Sequence, residues 1–147
     1  MSRLVTHLVC FVAALALCQS ISAENEQCAP TLIENFDGDL NSALWRVVEG
    51  DGCNIGLCGW GNSELQHYAK DAVRVVDGAL SITVAENDGR ITSGKLVSEG
   101  QFSQQYGRFE ARISLPRGRG LWPAFWMMPQ SASPWPLAGE IDIMEWT

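Results

Sequence analysis

The sequence predicts an all-β fold, an antiparallel sandwich or barrel, on three observations. Val73 and Val75, then Asp77-Gly78, then Leu80, Ile82 and Val84 alternate apolar with polar on both sides of a two-residue turn, the strongest short-range hairpin signal. From Tyr106 to Leu115 the apolar set Phe109, Ala111, Ile113 and Leu115 alternates with Arg108, Glu110, Arg112 and Ser114, a strand with one inward and one charged face. No window of a dozen residues carries a 3.6-residue period, so no amphipathic helix competes with the strands.

In chain order, Arg3, the apolar run Leu8 to Leu17, and Ser20, Ile21, Ser22 and Ala23 have the charged, apolar and small-residue order of a secretory signal peptide. The apolar run is too short to span a bilayer. Cleavage is expected after Ala23. A lipidated Cys18 is disfavoured, because Leu17 stands where a small residue is needed. Residues 24–147 then read as one domain without repeats or low-complexity stretches, one unit more negative than the −7 of the whole chain because Arg3 has gone. That balance speaks against nucleic acid and anionic membranes as partners. Hydrophobic residues at 46% and charged ones at 18% mark a globular chain, and six Trp offer flat rings that can cover the C–H face of a sugar.

Of five Cys, Cys10 and Cys18 leave with the leader, so Cys28, Cys53 and Cys58 remain, an odd number for an oxidising compartment. Cys53 and Cys58 are close enough to staple one loop, and nothing has zinc-finger spacing, so a disulfide is expected rather than a metal site. The partner of Cys28 is expected in sequence not present here. Beyond the 106–115 strand, Pro116-Arg117-Gly118-Arg119-Gly120 forms a loop, and Trp122 to Met128 and Glu140 to Trp146 are two further strands around a Pro, Ser and Gly-rich segment. The chain stops at Thr147, one residue after a strand, whereas sandwich edges need covering. The expectation is a chain cut short.

Gly139-Glu140-Ile141-Asp142-Ile143-Met144-Glu145-Trp146 places three carboxylates among large apolar residues. Alternate residues of a strand share a face, so Glu140 and Asp142 point one way and Glu145 the other. A single bulge near Ile143 or Met144 returns Glu145 to their side, and bulges concentrate beside active sites. Crowded carboxylates cannot all stay ionised, which suits a general acid. The competing reading is that Glu140 and Glu145 form surface ion pairs with Arg108 or Arg112.

Glu-Ile-Asp-Ile-Met-Glu resembles the active-site signature of glycoside hydrolase family sixteen, in its laminarinase-like branch with the extra bulge residue. Gly59-Trp60-Gly61-Asn62-Ser63-Glu64-Leu65-Gln66-His67-Tyr68, Thr92-Ser93-Gly94-Lys95-Leu96, Tyr106 to Arg112, Leu121 to Trp126, and Trp135-Pro136 ahead of Gly139-Glu140 resemble that branch in the same order, from about Leu32 onward. The resemblance implies a β-jelly-roll sandwich with a concave sugar-binding cleft. It implies Glu140 as nucleophile, Asp142 as the helper carboxylate and Glu145 as acid/base. Asn62, Glu64, Lys95, Trp122, Trp126 and Trp135 are the implied substrate-binding residues. Lys95 stands where relatives often carry Arg. Against these roles, the Trp rings could be ordinary core, and Asn62 and Glu64 could hydrogen-bond within their own loop. His67 is read as a surface or satisfied histidine, and Arg108, Glu110 and Arg112 as a structural charge ladder.

The expected protein is a secreted, monomeric, retaining endo-β-1,3-glucanase, with a β-glucan as partner. No cofactor is required, no catalytic metal is expected, and a structural calcium is allowed by the resemblance. Family relatives run about a hundred residues further, so residues 24–147 are expected to be the N-terminal part of a catalytic domain. The alternatives are a β-1,3-glucan recognition protein of the same fold, in which the catalytic Glu are replaced, and a non-functional truncated product.

Overall fold

The structure is a computed structural model that describes residues 29–131, 133 and 135–146. It divides into two units, Met1–Ile33 and Glu34–Thr147, and the second carries everything below. The expected leader over residues 1–23 and Cys28 lie outside the described residues.

Among the described residues there is no α-helix. The strands are β1 (Arg46–Val48), β2 (His67–Tyr68), β3 (Val73–Val76), β4 (Ala79–Ile82), β5 (Ala85–Asn87), β6 (Arg90–Ser93), β7 (Lys95–Val97), β8 (Ala124–Met127) and β9 (Ile141–Glu145). Single 3₁₀ turns lie at Cys53–Ile55, Cys58–Gly61 and Lys70–Ala72. The strands form four small ladders: β1 with β7, β3 with β4, β8 with β9, and β2-β6-β5.

β3 and β4 form the hairpin that the alternation predicts. Val76 pairs with Ala79, leaving Asp77-Gly78 as the turn, with φ of 51° and 70°. Both central residues in the left-handed region make a type I′ turn, whose twist matches the flanking strands and for which Asp-Gly is a favoured pair. Val84 lies beyond the end of β4.

Two expectations need correction. β2 runs parallel to β6, with His67 opposite Thr92 and Tyr68 opposite Ser93, a local exception to an otherwise antiparallel arrangement. Tyr106 to Leu115 forms no strand, because a strand is defined by its ladder and none of the described residues pairs with this segment. Its alternation still acts: Phe109, Ala111, Ile113 and Leu115 line an open cavity of about 350 Å³ with Phe125, Ile143 and Met144. The charge ladder is corrected too. Arg108 pairs with Glu110 on its own segment, both well exposed, and Arg112 has no ion pair among the described residues.

The apolar residues thus have directions but little cover. Only Leu44 and Ala72 count as buried hydrophobic residues among those described. Beside β1, the Arg46 guanidinium reaches Glu99 Oε2 at 2.6 Å, an exposed pair worth at most about 1 kcal/mol.

Candidate active site

The carboxylates are set by the β8–β9 hairpin. Ala124 faces Glu145 and Phe125 faces Met144, but Trp126 faces Asp142 and Met127 faces Ile141. The register therefore shifts between Phe125 and Trp126 and leaves Ile143 without an opposite residue. That is the bulge expected near Ile143 or Met144. Cross-strand partners share a face and neighbours alternate, so Asp142 and Glu145 stand on the same side as Ala124 and Trp126. Glu140, two residues before Asp142, continues that side beyond the ladder. Phe125, Met127, Ile141 and Met144 take the other, where Phe125 and Met144 meet the apolar cavity. One strand thus carries carboxylates on one surface and core side chains on the other.

Neither Glu140 nor Glu145 forms an ion pair among the described residues, which removes the reading in which Arg108 or Arg112 neutralises them. Instead the Trp122 indole Nε1–H donates to Glu145 Oε1 at 2.8 Å. Trp135 lies in the turn before β9 and is more than half exposed, as is Trp122.

A second cluster surrounds Lys95 at the start of β7. Its Nζ lies 4.7 Å from the centre of the Trp60 ring, 5.3 Å from Trp126 and 5.5 Å from Tyr68. These are cation–π distances, and they join the disulfide loop, β2, β7 and β8 at one point. Trp60 and Tyr68 also pack together, with ring centroids 5.6 Å apart. Glu64 accepts hydrogen bonds from the Tyr68 hydroxyl and from Gln66 Nε2, each at 2.6 Å, and Gln66 Nε2 also reaches the Tyr68 oxygen at 3.0 Å. Glu64 is therefore engaged within its own segment, as the competing reading held. Asn62 is exposed at the end of the disulfide loop, where its backbone N–H bonds to the Gly59 carbonyl.

The loop that delivers Trp60 is closed by the Cys53–Cys58 disulfide, as its spacing suggests. Gly52 opens the loop at φ 81°, and a Cβ there would stand 2.1 Å from the Leu57 carbonyl oxygen and 3.2 Å from the Trp60 ring. Only glycine fits. Trp60 itself is held at φ 52°, a costly conformation for a bulky residue and one typical of functional loops. Trp60, Gln66 and Tyr68 were not singled out from sequence. Their signal was present in the segment Gly59 to Tyr68, but which of its side chains converge depends on the β2–β6 pairing.

Burial pushes the Lys95 ammonium below its ordinary value, with nearby Glu64 partly opposing this. Burial also pushes the Tyr68 phenol well above its ordinary range, helped by its hydrogen bond to Glu64 and by that carboxylate's charge. The folded chain thus holds the Tyr68 proton more tightly than the unfolded chain. This stabilisation is complete below the ordinary tyrosine value of 10.0 and is lost as pH rises beyond it. Lys95 has the opposite sign: its cost is complete while the lysine is protonated and is relieved as it loses its proton. In residues 24–147 carrying a second apolar layer, near-ultraviolet titration to about pH 11 should lack the Tyr68 phenolate's absorbance while the fold persists, and Glu64→Gln should restore part of it.

Among the described residues no three His, Cys, Asp or Glu side chains gather into a cation site.

The family model described as Glycosyl hydrolases family 16 matches residues 62–147. The beta-glucanase of Rhodothermus marinus is 47% identical over 102 residues, covering 63% of this chain and 36% of its own length. The crystal structure of laminarinase from Flavobacterium sp. UMI-01 superposes with a TM-score of 0.73 at 43% identity, over 77% of this chain and 50% of that one. A beta-1,3-glucan-binding protein of Penaeus monodon is 47% identical over 57 residues, 37% of this chain and 16% of its own length. The chain spans half or less of the length of each. Its all-β class and jelly-roll architecture are those of the laminarinase structures it superposes on. A family match over more than half the chain, on the segment whose register gathers the carboxylates and their aromatic neighbours, establishes that this chain belongs to glycosyl hydrolase family 16.

Proposed function

We propose that the protein is a secreted glycoside hydrolase that cleaves β-1,3-linked glucans with retention of configuration. The observation that carries this reading is the ladder that skips Ile143 and turns Asp142 and Glu145 to one side with Trp126. Retaining glycosidases need a nucleophile and a proton donor converging on one bond. In the first step a Glu140 carboxylate oxygen attacks the anomeric carbon while Glu145 gives its proton to the departing glycosidic oxygen, which takes the bonding pair. In the second, water attacks the same carbon, its proton passes to Glu145, and the Glu140 carboxylate leaves. Asp142 stands between the two on the same strand face. Trp126 and the Lys95 cluster form the sugar-facing wall, with Asn62 and Trp135 at its margins.

The names of the beta-glucanase and laminarinase relatives support the substrate class. A second reading, glucan binding without cleavage, is favoured by the Penaeus relative. The presence of both Glu140 and Glu145 favours the enzyme. Reducing-sugar release from laminarin by residues 24–147 carrying the downstream half of a family 16 relative, absent in Glu140→Gln, is the expected result, with the β-anomer first in proton NMR of early products because two inversions restore configuration. Initial α-anomer would overturn Glu140 as nucleophile. Retention of laminarin without any release would favour the binding protein.

A further inference from the structure

The Trp122–Glu145 hydrogen bond gives Trp122 a different task from covering sugar. Trp122 lies two residues before Ala124, and Ala124 is the ladder partner of Glu145. Alternation puts Trp122, Ala124 and Trp126 on one face, so Trp122 and Glu145 are diagonal neighbours, a separation that an aromatic and a long side chain can bridge. The Trp146 N–H bonds to the Pro123 carbonyl at 3.2 Å, which continues the hairpin beside them. The indole donates to Oε1 at 2.8 Å, and no other hydrogen bond to the Glu145 carboxyl occurs among the described residues.

An indole N–H donates and never accepts. It therefore bonds well to a carboxylate oxygen or a carbonyl oxygen, and poorly to the oxygen that bears a carboxylic proton. Bound at Oε1, it leaves Oε2 as the better seat for the proton. Resting on the role of Glu145 given above, we propose that Trp122 is a positioning residue that holds Oε1 and thereby makes Oε2 the oxygen that delivers the proton to the leaving group and recovers one from water. Its effect passes through Glu145 alone, so it is felt in proportion to the protonation the leaving group needs.

The test uses residues 24–147 carrying the downstream half of a family 16 relative and compares wild type with Trp122→Phe, which keeps the ring and removes the donor, on laminarin oligosaccharides and on a dinitrophenyl β-glucoside of laminaribiose. The dinitrophenolate departs without protonation. On the oligosaccharides kcat should fall about ten- to hundredfold, as for loss of a hydrogen bond to a charged group, with KM unchanged. Bond cleavage on the aryl substrate should change less than about twofold. A rise in KM, or equal losses on both substrates, would mean that Trp122 is a sugar platform or a packing element and would overturn the proposal. A second readout is independent of turnover. The indole N–H resonance that disappears in Trp122→Phe should lie downfield in wild type and move upfield in Glu145→Ala, and a resonance indifferent to Glu145 also overturns the proposal. If wild type cleaves neither substrate while this resonance does respond, the hydrolase reading fails and the contact stands.

Discussion

In residues 24–147 completed by the downstream half of a family 16 relative, Glu140→Ala should reduce turnover of laminarin by roughly 10⁴- to 10⁶-fold, the scale on which removing a covalent nucleophile acts. Glu145→Ala should lose about 10²- to 10⁴-fold on the same substrate, as expected for a lost general acid. The two differ in what rescues them. An activated aryl glycoside needs no proton donor, so Glu145→Ala should still form the glycosyl-enzyme on it, and azide should then enter from the face that gives a β-glycosyl azide. In Glu140→Ala, azide takes the nucleophile's place and should give the α product. Product anomers by NMR decide between the roles, and one shared anomer from both variants would refute the assignment. The ladder underlies the contrast: Asp142 and Glu145 are brought to one side by a single skipped residue, with Glu140 continuing that side.

The second large effect concerns stability. Phe109, Ile113, Leu115, Phe125, Ile143 and Met144 line one open cavity and none of them is buried. Fully burying such a side chain from full exposure contributes about 1.5–3 kcal/mol, and these six are already more than half covered, so covering the rest is worth on the order of 5 kcal/mol. That is comparable with the lower end of a typical domain's whole stability, about 5–15 kcal/mol. Residues 24–147 expressed alone should therefore bind a hydrophobic dye, give weak near-ultraviolet circular dichroism and unfold without a cooperative transition. Supplying a second apolar layer, as the downstream half of a family 16 relative fused to Thr147, should restore a sharp transition. A cooperative melt of the isolated residues would show that the open face is not what limits stability.

How far the sequence disclosed this molecule depended on the range of the interaction concerned. The Asp77-Gly78 hairpin was legible because its register is set by two turn residues and their neighbours. The bulge was legible within a residue because the face parity of Glu140, Asp142 and Glu145 demands it, although which residue is skipped depends on pairing with β8. The loop disulfide followed from spacing. Tyr106 to Leu115 shows the limit: alternation records which side chains seek the interior, but a strand also needs a partner to receive its hydrogen bonds. The parallel pairing of β2 with β6, and the rings it gathers around Lys95, were invisible because they join segments far apart in the chain. The resemblance implied Trp122 as a sugar contact, whereas the aim of its single N–H follows only from the diagonal to Glu145.

The residue left over at Ile143 also fixes how this strand can change length. Deleting it would yield a regular ladder in which Glu140, Asp142 and Glu145 still fall on alternate positions, so no side chain would turn over. Deleting Ile141 instead would send Glu140 to the opposite surface, among Phe125 and Met144. Drift by single insertions and deletions is thus silent in orientation at one site of β9 and inverting two residues earlier. Surviving length variants of this hairpin should accordingly differ at the skipped residue and keep Glu140-Ile141-Asp142 intact.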